Sequence, residues 1–154
     1  GLTNPPEGAF GDPRHPKLGW RFYSKDAKKF DQNVNWTKLR VDYVIPEYGS
    51  ELTDESYILE MGFERLHGVD FKKGCYVGQE VTARMKHKTE LRKGLVKILS
   101  QHEISNGEEL LLDDKSIGSI LTTSGKSALA YVRLKNRDAI LSTKNSKKIV
   151  IVKD

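Results

Sequence analysis

The sequence predicts an α+β protein in two unlike portions, and three observations carry that reading. Up to about residue 90, apolar residues recur at helical spacing. From Leu91 onward they gather in short runs rich in Ile, Leu and Val, and those runs are parted by turn-forming residues. A chain of 154 residues with 37% hydrophobic content can bury one modest core or two small ones. The boundary is expected near residues 88–92, which divides the chain into 1–90 and 91–154.

Gly1 to His15 is rich in glycine and proline without periodicity, so an extended or mobile segment is expected there. Gly19 to Tyr23 reads as a short strand with Trp20 and Phe22 on one face, and Asp26 to Asn33 as a short surface helix. Asn35 is a good N-cap for a helix opening at Trp36, which must end near Val44 or Ile45 because Pro46 disfavours helical geometry at the residue before it. Glu47 to Glu51 turns around Gly49. Thr53 or Asp54 can cap a third helix that carries Ile58, Leu59, Phe63 and Leu66 and stops at Gly68. Val77, Val81 and Met85, with Ala83 between them, predict an amphipathic helix over about 76–86 with one buried stripe.

Beyond Leu91 the expected strands are 91–99, 109–113, 116–123, 128–134 and 147–153. Their separators are Ser105-Asn106-Gly107, Asp113-Asp114, Ser124-Gly125 and Asn136-Arg137-Asp138. About five or six short antiparallel strands in so few residues suggest a small barrel or sandwich. A strand near Trp20, by contrast, has no evident partner in the helical portion.

Composition excludes several function classes. The formal charge of +5 comes from interspersed signs without a run of five like charges, so direct nucleic-acid binding is not expected. The longest apolar run, Ile149 to Val152, is far too short to span a bilayer, and no charged-then-apolar leader is visible, so no membrane or export segment is expected. A lone cysteine excludes an internal disulfide framework and fits a reducing compartment, cytoplasm or an organelle matrix. The four histidines are scattered, and one cysteine cannot hold zinc or an iron–sulfur cluster by itself, so no metal site is expected.

The stretch that concentrates chemistry is Lys72-Lys73-Gly74-Cys75-Tyr76-Val77-Gly78-Gln79-Glu80. Cys75 is expected at or just before a helix start, where unpaired backbone N–H groups, the positive end of the macrodipole and the two lysines favour thiolate over thiol. Gly74 and Gly78 suit close backbone approach or an unusual turn.

Lys73 to Glu80, followed by Ala83-Arg84, resembles the signature of the YgfZ family of folate-binding proteins, relatives of the aminomethyltransferase (T-protein) of the glycine cleavage system. Trp36, Asp42 and Pro46 resemble a second family pattern, Trp-x5-Glu-x-Gly-x-Pro, with aspartate in place of glutamate and Val44 in place of glycine. The resemblance implies the C-terminal half of an aminomethyltransferase-like folate-binding fold followed by a small antiparallel β-barrel. On that basis 1–90 is part of an α+β core that is incomplete without the N-terminal half of the same protein, and 91–154 is the barrel.

It also implies roles. Cys75, Lys73, Gln79, Glu80 and Arg84 become the candidate reactive group and its surroundings. Trp36, Asp42 and Tyr76 become candidate contacts of tetrahydrofolate or a one-carbon derivative: an indole can stack on a pterin or aminobenzoyl ring, and a carboxylate can accept paired N–H donors from a pterin edge. The alternative uses are structural: Trp36 as a core anchor, Tyr76 as packing, Glu80 and Arg84 as a helix-surface ion pair. The function implied is a tetrahydrofolate-binding accessory protein for the assembly or repair of iron–sulfur enzymes, tRNA-modifying ones among them. A folate-dependent aminomethyltransferase and a thiol-based redox or scaffold module are the alternatives.

Overall fold

The structure, a computed structural model, describes residues 5–26, 34–88 and 90–152. Its centre is a closed antiparallel barrel made, among the described residues, of six strands: β3 (Lys93–Ser100), β4 (Glu109–Leu112), β5 (Lys115–Ser124), β6 (Ser127–Arg133), β7 (Leu141–Ser142) and β8 (Lys148–Ile151). They close in the order β3-β6-β5-β4-β7-β8. Alternation within each strand fills the interior. Ala128, Ala130 and Val132 of β6 point inward with Ile98, Ile120 and Ile149, whereas Leu129 and Tyr131 face outward.

Turn chemistry accounts for the hairpins. Asp113 and Asp114 take φ of 49° and 61°, the paired positive values that a two-residue turn between twisted strands requires, and Gly125 at φ 62° turns β5 into β6. At Gly118 a Cβ would lie 2.2 Å from the Tyr131 carbonyl oxygen, so only glycine lets β5 run this close to β6. The five expected strands are present with ends shifted by a few residues. The sixth, β7, is only two residues long and meets β4 through the single pair Leu111–Ser142.

The first portion is wrapped on the barrel's outer wall. Helix α1 (Trp36–Asp42) opens as expected: the Asn35 side chain accepts from the Lys38 N–H at 2.8 Å. It ends at Asp42, slightly before the expected stop, and Val41 and Val44 then bury against Leu129 and Leu95 on the outer face of β6 and β3. The Glu60 carbonyl accepts from the Leu95 N–H at 2.8 Å, and the Tyr131 hydroxyl donates to the Glu60 carboxylate. Burial first, and then that hydrogen bond, push the Tyr131 phenol above its ordinary pKa. A buried Glu51 carboxylate accepts from Arg40 and from the Glu47 N–H, pinning the turn at Gly49 (φ 81°) to α1.

Three expectations are corrected. Strand β2 (Trp20–Arg21) does have a partner, β1 (Phe10–Gly11), so the proline-rich opening carries a short hairpin. Buried Asp12 ties it together by accepting from Arg14 and Arg21. The third helix is absent: residues 57–67 run through successive turns. Gly62 at φ 77° interrupts the coil, and the hydrogen bonds mix three-, four- and five-residue spans, Gly62 to Leu59, Met61 to Tyr57 and Phe63 to Ile58. The Glu60 carbonyl accepts instead from the Leu95 N–H of β3. Leu59, Met61 and Leu66 are nonetheless buried. Finally, α2 (Gln79–Lys88) begins later than expected and its buried stripe is displaced: Val77 is fully exposed and Val81 is 53% exposed, while Thr82 is buried and Met85 half-buried. The helix is held instead through Lys86, whose ammonium reaches Glu64 at 2.6 Å and lies over the Phe71 ring. The short helix expected over 26–33 falls outside the described residues except for Asp26.

Candidate functional site

The candidate residues occupy two places. The first is the segment leading into α2. Cys75 is exposed and lies four residues before Gln79, so the thiol is not at the helix start itself. Gly78 at φ 83° makes the turn between them, the use of glycine anticipated there, whereas Gly74 has open space around it and no positive φ.

The neighbours of the thiol are paired with one another. The Gln79 side-chain oxygen accepts from the Tyr76 N–H at 3.1 Å, and the Gln79 N–H donates to the Tyr76 carbonyl at 3.3 Å. The Lys73 ammonium sits 4.9 Å from the Tyr76 ring centroid, a cation–π contact. Glu80 and Arg84 form an exposed pair one helical turn apart at 2.6 Å, worth roughly 0.3–0.5 kcal/mol. Lys73, Tyr76 and Gln79 thus form one linked group beside the thiol, with the Glu80–Arg84 pair on the following turn. The Cys75 thiol is free and exposed beside this group.

The second place is α1. Trp36 is 49% exposed and lines a hollow of about 320 Å³ with Arg14, Leu18, Arg40, Ile45 and Glu47. Trp36 is thus a half-exposed wall of that hollow. Asp42, at the other end of α1, accepts from Lys38 and, at 2.7 Å, from Lys97 of β3. Burial would raise the Asp42 carboxyl, but these hydrogen bonds outweigh it and hold the group below the ordinary aspartate pKa. Its two oxygens are thereby already matched. Asp42 borders a different hollow, also about 320 Å³, beside His15, Tyr43, Arg65 and His67.

Among the described residues no hydrogen bond or ion pair joins Trp36 or Asp42 to the Cys75 segment, and no group of three or more His, Cys, Asp or Glu side chains is gathered to hold a metal. For tetrahydrofolate, Trp36 is exposed where a ring could stack, whereas Asp42, expected to accept pterin N–H donors, has both oxygens engaged by Lys38 and Lys97. Sequence reasoning passed over Arg40 and Glu51, which anchor the wall of the Trp36 hollow. Residues this far apart in sequence give no periodic signal, and only burial reveals the pair.

Comparison with known proteins adds the wider context. A family profile described as the CAF17 C-terminal β-barrel domain matches residues 92–151, which takes in all six barrel strands. The chain is 36% identical over 94 residues to the mitochondrial iron–sulfur cluster assembly factor IBA57 homolog of Mycosarcoma maydis, covering 55% of this chain and 23% of that protein. Against mitochondrial IBA57 of Mus musculus it is 35% identical over 92 residues, with 54% and 26% covered. The tRNA-modifying protein YgfZ of Aliivibrio fischeri is 26% identical over 98 residues, with 62% and 30% covered. The chain thus spans about a quarter of the length of these curated relatives.

Proposed function

Because this chain belongs to the family of YgfZ, CAF17 and IBA57 proteins, we propose that it forms part of a tetrahydrofolate-binding accessory protein that supports assembly or repair of iron–sulfur enzymes, those that modify tRNA among them. In this reading 91–154 is the barrel platform, and 1–90 is the share of the folate-binding core that an N-terminal half of the same protein completes. The observation that carries the reading is the state of Cys75: exposed, and flanked by residues that hold one another. Such an arrangement presents a thiol to a partner without asking the thiol to support the fold.

Lys73, Tyr76 and Gln79 fix the backbone around the sulfur, and Glu80 with Arg84 gives the following turn a charged surface. Trp36 offers a stacking face for a pterin or aminobenzoyl ring, and Asp42 holds α1 against Lys97 so that this face keeps its position. The relatives named for iron–sulfur assembly are mitochondrial and the YgfZ relative is bacterial, which supports an organelle matrix or a bacterial cytoplasm as the proposed compartment. Among the described residues no helix is long and apolar enough to cross a membrane.

The exposure of Cys75 also favours a second reading, a redox or scaffold module that pairs with a partner's thiol. Calorimetry of the complete protein with tetrahydrofolate separates the two: saturable binding is expected, and its absence leaves the thiol module. In cells depending on the protein, Cys75→Ala should abolish support of iron–sulfur enzymes while the melting temperature stays nearly unchanged. Full support by Cys75→Ala, or a loss of stability as large as that of Leu66→Ala in the core, would overturn the assigned role.

A further inference from the structure

Where β3 begins and β6 ends, the barrel carries a hollow of about 1110 Å³ that the proposed function does not use. Its walls come from residues around two adjacent strand ends and the 3-10 turn that follows β6. Arg92, Lys93, Arg133, Lys135 and Arg137 bring five cationic side chains to it. Lys93 and Arg133 are directly opposite in the β3–β6 register, an arrangement that costs stability because like charges face each other. Lys93 leans aside, its ammonium 5.6 Å from the Tyr131 ring centroid.

Elsewhere on this surface cations find carboxylates, as Lys144 does with Glu109 and Arg84 with Glu80. Among the described residues none of the five in the hollow forms an ion pair. The floor differs in character. Leu134 packs on the barrel core over Gly94, and Leu91 lies half-buried beside it.

We propose that this hollow docks an acidic peptide segment of a partner protein, with carboxylate side chains flanking an apolar residue. Guanidinium forks match carboxylates with two parallel hydrogen bonds, and the leucine floor receives the apolar side chain. A nucleic-acid strand fits less well. Among the described residues no aromatic ring lines the hollow for base stacking, and the rim carboxylates Glu90 and Asp138 oppose a backbone charged at every unit, whereas a peptide has neutral links between its charges.

The test is fluorescence anisotropy of the whole chain with a labelled Asp-Glu-Leu-Glu-Asp peptide, an Asp-Glu-Ser-Glu-Asp control and a labelled oligouridylate. Saturable binding of the leucine peptide that weakens with added salt is expected. It should be about tenfold weaker for the serine peptide, and at least about tenfold weaker for the Arg133→Glu/Arg137→Glu variant. These side chains are exposed, so circular dichroism and melting should be unchanged; Lys135→Glu is a second, single-site variant, expected to weaken binding severalfold. Absence of saturable peptide binding, equal binding by the folded charge-reversed variant, equal binding of the two peptides, or tighter binding of oligouridylate would each overturn the proposal.

Discussion

The barrel and the Cys75 segment use the same residue types in opposite ways. In the barrel Ile98, Ile120, Leu141 and Ile149 are almost wholly buried, and backbone groups pair strand to strand around a closed ring. In the segment entering α2, Val77 and Val81 face outward, and Tyr76, Gln79, Glu80 and Arg84 pair with near neighbours. Burial of apolar surface is worth roughly 25 cal/mol per Å², so the first region gains stability that the second forgoes. A fold that holds itself together through the barrel leaves the segment free to present Cys75.

That contrast is most directly broken by truncation. Ile98→Ala should cost about 2–5 kcal/mol, since it removes a buried side chain from a closed interior that cannot collapse around the gap. Val81→Ala should stay within about 0.5 kcal/mol in this chain. Urea unfolding of both variants checks the pair, and comparable losses would mean that Val81 has a buried partner after all.

Next in size is the buried ion pair within the first portion. Arg40 holds the buried carboxylate of Glu51 and reaches Glu47 at 2.5 Å. Arg40→Met leaves Glu51 buried without its counter-ion, a loss of about 3 kcal/mol by analogy with other broken buried pairs. Adding Glu51→Gln should recover part of that loss. If the double variant is no more stable than Arg40→Met alone, the ion pair is not what fastens the turn at Gly49.

How legible these features are in the sequence follows the range of the forces behind them. The barrel strands are readable because alternation and turn pairs such as Asp113-Asp114 act locally, and α1 because Asn35 caps it from the adjacent position. The segment 57–67 reads as a helix because Ile58, Leu59, Phe63 and Leu66 have the spacing, yet the deciding contact, Glu60 to Leu95, is far away in sequence. The β1–β2 hairpin escapes notice for a different reason: two-residue strands are too short to show a period, and Asp12 with Arg14 and Arg21 supplies what alternation does not. In the candidate site, the motif locates Cys75 and its neighbours. It does not reveal that Asp42 is matched by Lys97, since that lysine belongs to the barrel.

The N-terminal hairpin gives a smaller, pH-dependent effect. The Arg14 hydrogen bond, with Arg21 beyond it, holds the Asp12 carboxyl well below its ordinary value of 3.8 against the opposing influence of burial. A carboxyl depressed on folding contributes stability that is present above the unfolded value and lost as the pH falls from 3.8 through the folded one. The destabilisation caused by Asp12→Asn should therefore be full at neutral pH and fade below 3.8. A difference between wild type and variant that persists unchanged in acid would assign the hairpin's stability to packing instead.

The smallest expected effect tests where α1 meets the barrel. Val44 takes φ 51°, a left-handed conformation that a β-branched residue adopts only under strain of order 1–3 kcal/mol, and it stands where the resembling pattern has glycine. Its side chain is buried with Val41 and Leu129, a gain of roughly the same size, about 1.5–3 kcal/mol. The two terms oppose each other at one residue. Val44→Gly removes both, so its net change should be close to zero. Val44→Ala loses most of the burial and keeps much of the strain, so it should be the less stable variant. Glycine is ordinarily the worse substitute by about 0.5–1 kcal/mol in regular structure, so the expected order inverts the usual one. Chemical denaturation of the two variants decides it: if Val44→Ala proves the more stable, burial alone governs this joint and the backbone strain carries no measurable cost.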